Sequence, residues 1–113
     1  FSAIASYPLM AAAIESAKEN GVVYHVGNIL SSDTFYSDDA EASAKWRKLG
    51  VMAVEMEAAA LYMNAARAGK NALAILTISD HLLTGEATTA EERQNSFTQM
   101  MEVALETAVK MSR

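Results

Sequence analysis

The chain contains no cysteine, which excludes a disulfide framework and thiolate chemistry. No apolar run approaches the roughly 20 residues of a membrane-spanning helix, and the N-terminal segment lacks the basic start and sustained apolar stretch of a signal peptide. Basic residues are also few, 9 Lys and Arg against 14 Asp and Glu, and the net charge is −5. A protein that binds the phosphate backbone of a nucleic acid should instead be basic. We therefore expect a soluble cytoplasmic protein without a nucleic-acid or membrane partner.

Common cofactor and catalytic motifs are absent as well. The sequence has no G-x-S-x-G, no Walker loop and no G-x-G-x-x-G, and its His, Asp and Glu residues lack the spacing of a metal site. We therefore predict neither a metal nor a bound cofactor. With 113 residues the chain can form one small domain. Because it begins with Phe1, we expect a fragment, a processed product or the second half of a longer protein.

Helical and apolar segments alternate along the chain. The first helix is predicted to begin near Pro8, since proline is tolerated in the first helical turn, and to stop at Asn20 and Gly21. Helical patterns predict three more helices, at 40–49, 56–68 and 88–112. Short apolar or β-branched runs predict three strands, at 22–30, 51–54 and 72–78. This alternation predicts a largely parallel sheet with helices around it. Three strands leave unpaired edges, so the chain looks like half of a larger α/β domain.

Polar residues follow each of the three predicted strands. The first strand runs towards Asp33, the second ends at Glu55, and the third ends at Ser79 and Asp80. Because ligand sites form at the carboxyl ends of parallel strands, these side chains and Glu57 are predicted to line one rim. The alternative is that they are solvated loop residues or helix caps, a position that carboxylates also favour. That alternative is preferred for Asp33 and is weaker for Glu55, which apolar residues flank on both sides.

The last predicted helix carries an apolar stripe that is expected to be buried. Its members recur at helical spacing and are Phe97, Met101, Ala104, Leu105 and Ala108. Arg93 lies at the head of this stripe, and a buried guanidinium requires an anionic partner. Asp80 is the candidate partner, because the loop between the two residues is short enough to fold back. The alternative is that Arg93 extends its head group into water beside the end of the helix.

An aromatic pair, Phe35 and Tyr36, lies in the polar loop after the first predicted strand. Aromatic side chains in such a loop can form a lid or a stacking surface for a ligand. They can equally cover the core of the domain. The residues alone leave both interpretations open.

Four segments of the chain resemble the bacterial-type purine nucleoside phosphorylases. They are VGNILSSDTFY, VMAVEMEAAALY, ALAILTISDHLLTGEATTAEERQ and the closing helix. Together they cover essentially the whole chain and are similar to the C-terminal half of the hexameric branch of the nucleoside phosphorylase superfamily. The resemblance implies an α/β fold: the C-terminal half of a three-layer domain whose central sheet, mostly parallel or mixed, is flanked by helices.

The resemblance also implies an activity, the reversible phosphorolysis of purine (deoxy)ribonucleosides. Inorganic phosphate is the co-substrate and attacks C1′, which releases the free purine and a (deoxy)ribose 1-phosphate. Charge builds on the departing purine, so a proton donor at N7 would assist its departure. No cofactor is implied, and the assembly expected from the resemblance is a homohexamer.

On the base side of the implied site, the resemblance gives roles to five residues. Asp80 matches the acid at purine N7, and Arg93 matches the arginine that pairs with that acid and helps to trigger proton transfer. Ser79 matches the residue before the acid. Phe35 matches the aromatic that faces the base, and Val54 lines the same pocket.

On the sugar side, the resemblance centres on the V-E-M-E stretch. Glu57 matches the carboxylate that accepts hydrogen bonds from the ribose hydroxyls. Met56 matches the residue that packs on the sugar, and Glu55 lies beside it as a further substrate-binding candidate.

Parts of the family pattern are missing from the chain. The phosphate loop, the phosphate-binding arginines and a histidine from a neighbouring subunit belong to the N-terminal half, so the isolated chain is expected to lack a phosphate site and to be inactive. Two alternatives remain: a related purine nucleosidase of the same fold, which uses water, and an inert nucleoside-binding fragment. The S-D-H and E-R-Q context favours the phosphorylase.

Overall fold

The computed structural model describes residues 2–34, 41–82 and 87–112, and these ranges contain helices around a small sheet. In chain order the elements are α1 (Tyr7–Glu19), β1 (Asn28–Ser31), α2 (Ala42–Lys48), β2 (Val51–Glu55), α3 (Ala58–Ala68) and α4 (Ala90–Met111). β1 and β2 pair in parallel, and α2 lies in the connection between them. This arrangement confirms the predicted α/β class. None of the helices in these ranges combines the length and the apolar character needed to cross a membrane.

The helix ends follow local chemistry that the sequence predicts. α3 ends at Gly69, whose φ of 67° is the left-handed conformation that glycine adopts without strain. α4 begins at Thr89, whose hydroxyl accepts a hydrogen bond from the Glu92 N–H at 3.1 Å. The Glu92 carboxylate in turn accepts a hydrogen bond from the Thr89 hydroxyl at 3.1 Å. Thr89 and Glu92 therefore bind each other at the start of α4, as in a capping box, although the Glu92 carboxylate bonds to the Thr89 hydroxyl and not to its N–H.

The register of the sheet brings the two strand ends together. Leu30 lies opposite Val54, and Ser31 lies opposite Glu55. Just past the end of β1, the Ser32 N–H donates a hydrogen bond of 2.9 Å to the Glu55 carbonyl. Ser31 and Glu55 therefore lie at the same edge of the sheet, as the prediction of a common rim requires.

Two strand predictions differ from the structure. Within the predicted strand 22–30 only residues from Asn28 onward are paired, and the segment 72–78 is not a strand. A strand exists only through hydrogen bonds to a neighbour, and in the described residues the segment 72–78 has no ladder partner. Two single hydrogen bonds involve its main chain. The Ala72 carbonyl accepts a hydrogen bond from the Ser6 N–H at 2.9 Å, and the Ala74 N–H donates one to the Tyr62 hydroxyl at 2.9 Å.

α1 and α4 pack against each other through small side chains, and this contact holds most of the buried residues. Ala13 and Ser16 of α1 and Val103 and Thr107 of α4 are buried. The Ser16 hydroxyl donates to the Ala12 carbonyl at 2.9 Å, and the Thr107 hydroxyl donates to the Val103 carbonyl at 2.7 Å. Because each hydroxyl is satisfied within its own helix, the two helices can approach closely at little cost.

The buried face of α4 is not the predicted one. The stripe expected to be buried is exposed along its whole length: Phe97, Met101, Ala104, Leu105 and Ala108. Glu106 and Lys110 instead lie half-buried against α1: Glu106 accepts a hydrogen bond from Asn20, the C-cap of α1, and Lys110 pairs with Glu19. α4 has apolar side chains on two faces, and the position of α1 decides which of them is covered here.

The elements surround a wide groove instead of closing on one another. The groove has a volume of 1210 Å³ and is lined by apolar side chains of α1, α3 and α4 and by residues 22–29 and 73–78. The accessible surface is 8496 Å², whereas a compact protein of this mass exposes about 6,000 Å². The radius of gyration is 15.1 Å, whereas about 13 Å is expected for a compact domain of this length. The chain therefore forms only part of a closed core.

Candidate active site

The turn from β2 into α3 carries the two glutamates that stand out in the sequence. β2 ends at Glu55, Met56 follows, and Glu57 is the N-cap of α3 with φ −127° and ψ −17°. The Glu57 side chain makes no capping hydrogen bond. Instead, the Glu55 carboxylate accepts hydrogen bonds from the N–H groups of Glu57 at 2.6 Å and Ala58 at 2.7 Å. Glu55 thus does for α3 what the side chain of an N-cap residue usually does.

Ser31 connects the other strand to the same helix end. Its hydroxyl oxygen accepts a hydrogen bond from the Ala59 N–H at 3.1 Å. Side chains at the ends of both strands therefore accept hydrogen bonds from the N–H groups at the start of α3. The sequence patterns did not single out Ser31 for this role, because its contact with α3 follows from its register opposite Glu55.

The environment of the Glu55 carboxyl shifts its pKa in two opposing directions. Partial burial raises the pKa, but hydrogen bonds from the N–H groups of Glu57 and Ala58 favour the charged form, and Ser31 and the Met56 N–H act in the same direction. The net effect holds the pKa of Glu55 below its ordinary value. The second carboxylate oxygen, Oε1, is buried and has no hydrogen-bond partner among the described residues.

Glu57, Met56 and Val54 are the remaining candidates on this rim. Glu57 is exposed, and within the described ranges its carboxylate accepts no hydrogen bond. Met56 is exposed beside it, and Val54 is half-buried in β2. At this turn, Glu57 therefore presents a carboxylate without a hydrogen bond among the described residues, next to an apolar side chain, an arrangement that suits a ligand with hydroxyl groups on a carbon ring.

Ser79 and Asp80 lie at a second polar cluster, where the chain turns back towards α4. Asp80 forms an antiparallel bridge with Ala87, and the Ser79 carbonyl accepts hydrogen bonds from the Thr88 N–H at 2.9 Å and the Thr88 hydroxyl at 3.0 Å. The Ser79 hydroxyl donates to the Asp80 carboxylate at 3.1 Å. The predicted fold-back of this loop is therefore present, and Thr88 contributes to it through both its N–H and its hydroxyl.

The predicted ion pair between Arg93 and Asp80 is not formed. Arg93 is half-buried in the first turn of α4, where its N–H donates to the Thr89 carbonyl at 3.0 Å. No ion pair joins it to Asp80 in the part of the chain that the structure describes. An Asp–Arg pair with one exposed partner contributes at most about 1 kcal/mol, so charge attraction alone does not hold the two side chains together. Phe35 lies outside the described residues, so its predicted position against a ligand stays a prediction.

Across the described ranges, no three His, Asp or Glu side chains gather closely enough to hold a metal ion.

Comparison with known proteins gives a consistent result over the whole chain. The family model described as "Phosphorylase superfamily" matches residues 1–113. A relative from Clostridium beijerinckii, named purine nucleoside phosphorylase DeoD-type, is 57% identical over 111 residues, which cover 98% of this chain and 47% of the relative. Relatives of the same name from Clostridium perfringens and Exiguobacterium sibiricum are each 54% identical over 111 residues, with the same coverage. The chain spans about half the length of the curated relatives it matches.

Proposed function

Because the chain belongs to the phosphorylase superfamily, we propose that it is the C-terminal half of a purine nucleoside phosphorylase. The complete enzyme converts purine (deoxy)ribonucleosides and inorganic phosphate into free purine and (deoxy)ribose 1-phosphate, in both directions. The observation that supports this proposal is the exposed carboxylate of Glu57, which accepts no hydrogen bond among the described residues and lies at the start of α3, where side chains from both strands bind the first N–H groups. The names and identities of the relatives support the same reaction.

On the sugar side, we assign Glu57 to the ribose hydroxyls. Its carboxylate is an acceptor with no other partner among the described residues, and hydroxyl donors satisfy such a group well. Met56 is exposed beside it and supplies the apolar contact to the carbon face of the sugar.

On the base side, we assign Asp80 as the acid that protonates purine N7. As phosphate attacks C1′, the bond from C1′ to N9 breaks and its electron pair moves into the purine ring. The proton that N7 gains comes from Asp80. The Ser79 hydroxyl donates a hydrogen bond to this carboxyl group. Arg93, one turn into α4, pairs with Asp80 once the proton has left, and Phe35 and Val54 complete the base pocket.

The rest of the enzyme is expected to supply what this chain lacks. The open groove, the large exposed surface and the unpaired segment 72–78 all support a missing partner that completes the sheet. We propose that this partner is the N-terminal half of the same protein, that it carries the phosphate site, and that the isolated chain is inactive. The homohexamer and the cytoplasmic location are parts of the same proposal.

Replacement of Asp80 tests the assigned reaction. In the complete protein, phosphate-dependent release of hypoxanthine from inosine should fall by about 10²–10⁴-fold in Asp80→Ala, because a positioned general acid contributes that much. Cleavage of 7-methylinosine should change little, since its N7 is already substituted and needs no proton. Asp33→Ala is the matched control. Asp33 is an exposed carboxylate just after β1, and its replacement should leave both rates unchanged.

Three results would overturn the proposal. Equal losses with inosine and 7-methylinosine would remove Asp80 from the role of acid. Release of the base without phosphate would make the protein a nucleosidase. Absence of any cleavage by the complete protein would leave a binding protein.

A further inference from the structure

The N-cap of α3 presents a conflict between two uses of one side chain. Helix N-caps are usually Ser, Thr, Asp or Asn, whose short side chains accept a hydrogen bond from the first turn. The N-cap here is Glu57, the residue assigned to the ribose in the proposed function. If its carboxylate capped α3, it would turn back onto the helix and away from a ligand. The structure resolves the conflict by taking the capping carboxylate from Glu55 instead.

We propose that Glu55 is a positioning residue of the reaction. It holds the backbone of Glu57 and Ala58 and so leaves the Glu57 carboxylate free and aimed at the sugar, and it does not contact the sugar itself. This inference rests on the proposed function and changes the role expected for Glu55, from substrate contact to support of the residue that makes the contact.

The hydrogen bonds of Glu55 support this assignment. Its Oε2 accepts two N–H groups at 2.6 and 2.7 Å, the short distances of charge-assisted bonds. Its Oε1 is buried, so neither oxygen faces solvent as a free acceptor. Oε1 has no hydrogen-bond partner among the described residues, but because it is buried, a ribose hydroxyl could reach it only if the turn between β2 and α3 moved.

The same contacts carry a consequence for phosphate. Helix N-termini often bind anions through their free N–H groups. At α3, however, Glu55 receives the N–H groups of Glu57 and Ala58, and Ser31 receives that of Ala59. The Glu55 carboxylate, already charged, would also repel a second anion. The N-terminus of α3 is therefore not the phosphate site, and changes at Glu55 should leave phosphate binding intact.

The test compares four variants of the complete protein: Glu55→Ala, Glu55→Gln, Glu57→Gln and the double variant Glu55→Ala/Glu57→Gln. For each, kcat and KM are measured with inosine, with 2′-deoxyinosine and with phosphate. Circular dichroism establishes that each variant is folded. Glu55→Gln serves as the conservative variant, because its amide oxygen can still accept the N–H groups of Glu57 and Ala58.

Positioning predicts a distinct pattern. Glu55→Ala should raise the KM of inosine by about 10- to 100-fold and that of 2′-deoxyinosine by less, because a displacement of Glu57 by roughly 1 Å has effects of that size. The KM of phosphate should stay the same, and Glu55→Gln should restore most of the loss. Glu57→Gln should reduce the preference for inosine over 2′-deoxyinosine, and Glu55→Ala should reduce it too because it displaces Glu57, whereas Glu55→Gln should largely keep that preference. In the background of Glu57→Gln, Glu55→Ala should add little.

Several results would overturn the inference. A change in sugar preference in Glu55→Gln as large as in Glu57→Gln would place Glu55 on the sugar. Additive losses in the double variant would mean that Glu55 does not act through Glu57. If Glu55→Ala lowers the folded fraction but leaves the KM of both nucleosides unchanged, the role of Glu55 is purely structural. If Glu55→Ala fails to fold, the comparison of Glu55→Gln with Glu57→Gln decides between the same outcomes.

The inference and the proposed function can fail separately. If the wild-type protein performs no phosphorolysis, the proposed function falls. Inosine affinity, measured by calorimetry without phosphate, then shows whether Glu57→Gln and Glu55→Ala weaken binding together. Loss of binding in both would support the positioning of Glu57, and loss in neither would refute it.

Discussion

The outward face of α4 leads to a prediction about the complete protein. Phe97 is 41% exposed, Met101 54% and Leu105 68%, although all three lie on one apolar stripe of a long helix. A helix with apolar side chains on two opposite faces is typical of one that is covered on both sides. The face that packs on α1 is already covered, so we expect the stripe to be covered by the N-terminal half proposed above.

The magnitude follows from the exposure. Complete burial of a leucine side chain is worth about 1.5–3 kcal/mol. With 68% of Leu105 still exposed, about 1–2 kcal/mol of that stabilisation is not yet realised in this chain. If Leu105 becomes buried in the complete protein, its replacement by alanine removes that burial and leaves a cavity, at a total cost of about 2–5 kcal/mol. If it stays as exposed as it is here, the cost is about 0.5 kcal/mol or less.

The assay is urea unfolding of the complete protein, followed by circular dichroism, for wild type and Leu105→Ala. Glu102→Ala is the matched control, because Glu102 is exposed on another face of the same helix and its replacement should change the free energy of unfolding by no more than about 0.5 kcal/mol. An equally small change in Leu105→Ala would refute the reasoning, because the stripe would then face solvent in the complete protein too.

Two further predictions concern helix ends. Because the folded-state pKa of Glu55 is lowered, its stabilising contribution is fully present above its ordinary pKa of 4.5 and is lost as the pH falls through the lower folded-state pKa. The difference in unfolding free energy between wild type and Glu55→Gln, measured by chemical denaturation, should therefore shrink on acidification, and a difference that does not depend on pH would contradict this. Thr89→Ala should destabilise the protein by about 1 kcal/mol through loss of the α4 cap, whereas Thr89→Ser should retain most of it. Equal unfolding midpoints for these two variants would show that the cap contributes nothing.

Local patterns were sufficient where a feature depends on neighbours in sequence. The capping pair Thr89 and Glu92 was predictable because both residues lie within one helical turn. The parallel pairing of β1 with β2 was predictable because strands and helices alternate. The stretch around Glu55 was predictable as unusual, since two carboxylates interrupt an apolar run at the end of a strand.

Local patterns failed where a feature depends on what packs against it. The segment 72–78 has the composition of a buried strand, but in the described residues it has no ladder partner and is not a strand. The apolar stripe of α4 satisfies helical spacing, but a second face of the same helix satisfies it too, and α1 covers that second face. Periodicity identifies the faces that can be buried and does not choose between them.

The sequence by itself determined the α/β class, most element boundaries to within a few residues, and the family to which the chain belongs. Only the tertiary structure decided what the two glutamates do at the end of β2. Both are carboxylates one residue apart, and their separation in the sequence does not distinguish them. The pairing of β1 with β2 and the start of α3 turn Glu55 inward, onto the N–H groups of the helix, and leave Glu57 exposed without a side-chain hydrogen bond among the described residues. The difference is physical: a buried carboxylate must find donors, and the nearest donors are the unpaired N–H groups of a helix that does not exist until the chain has folded.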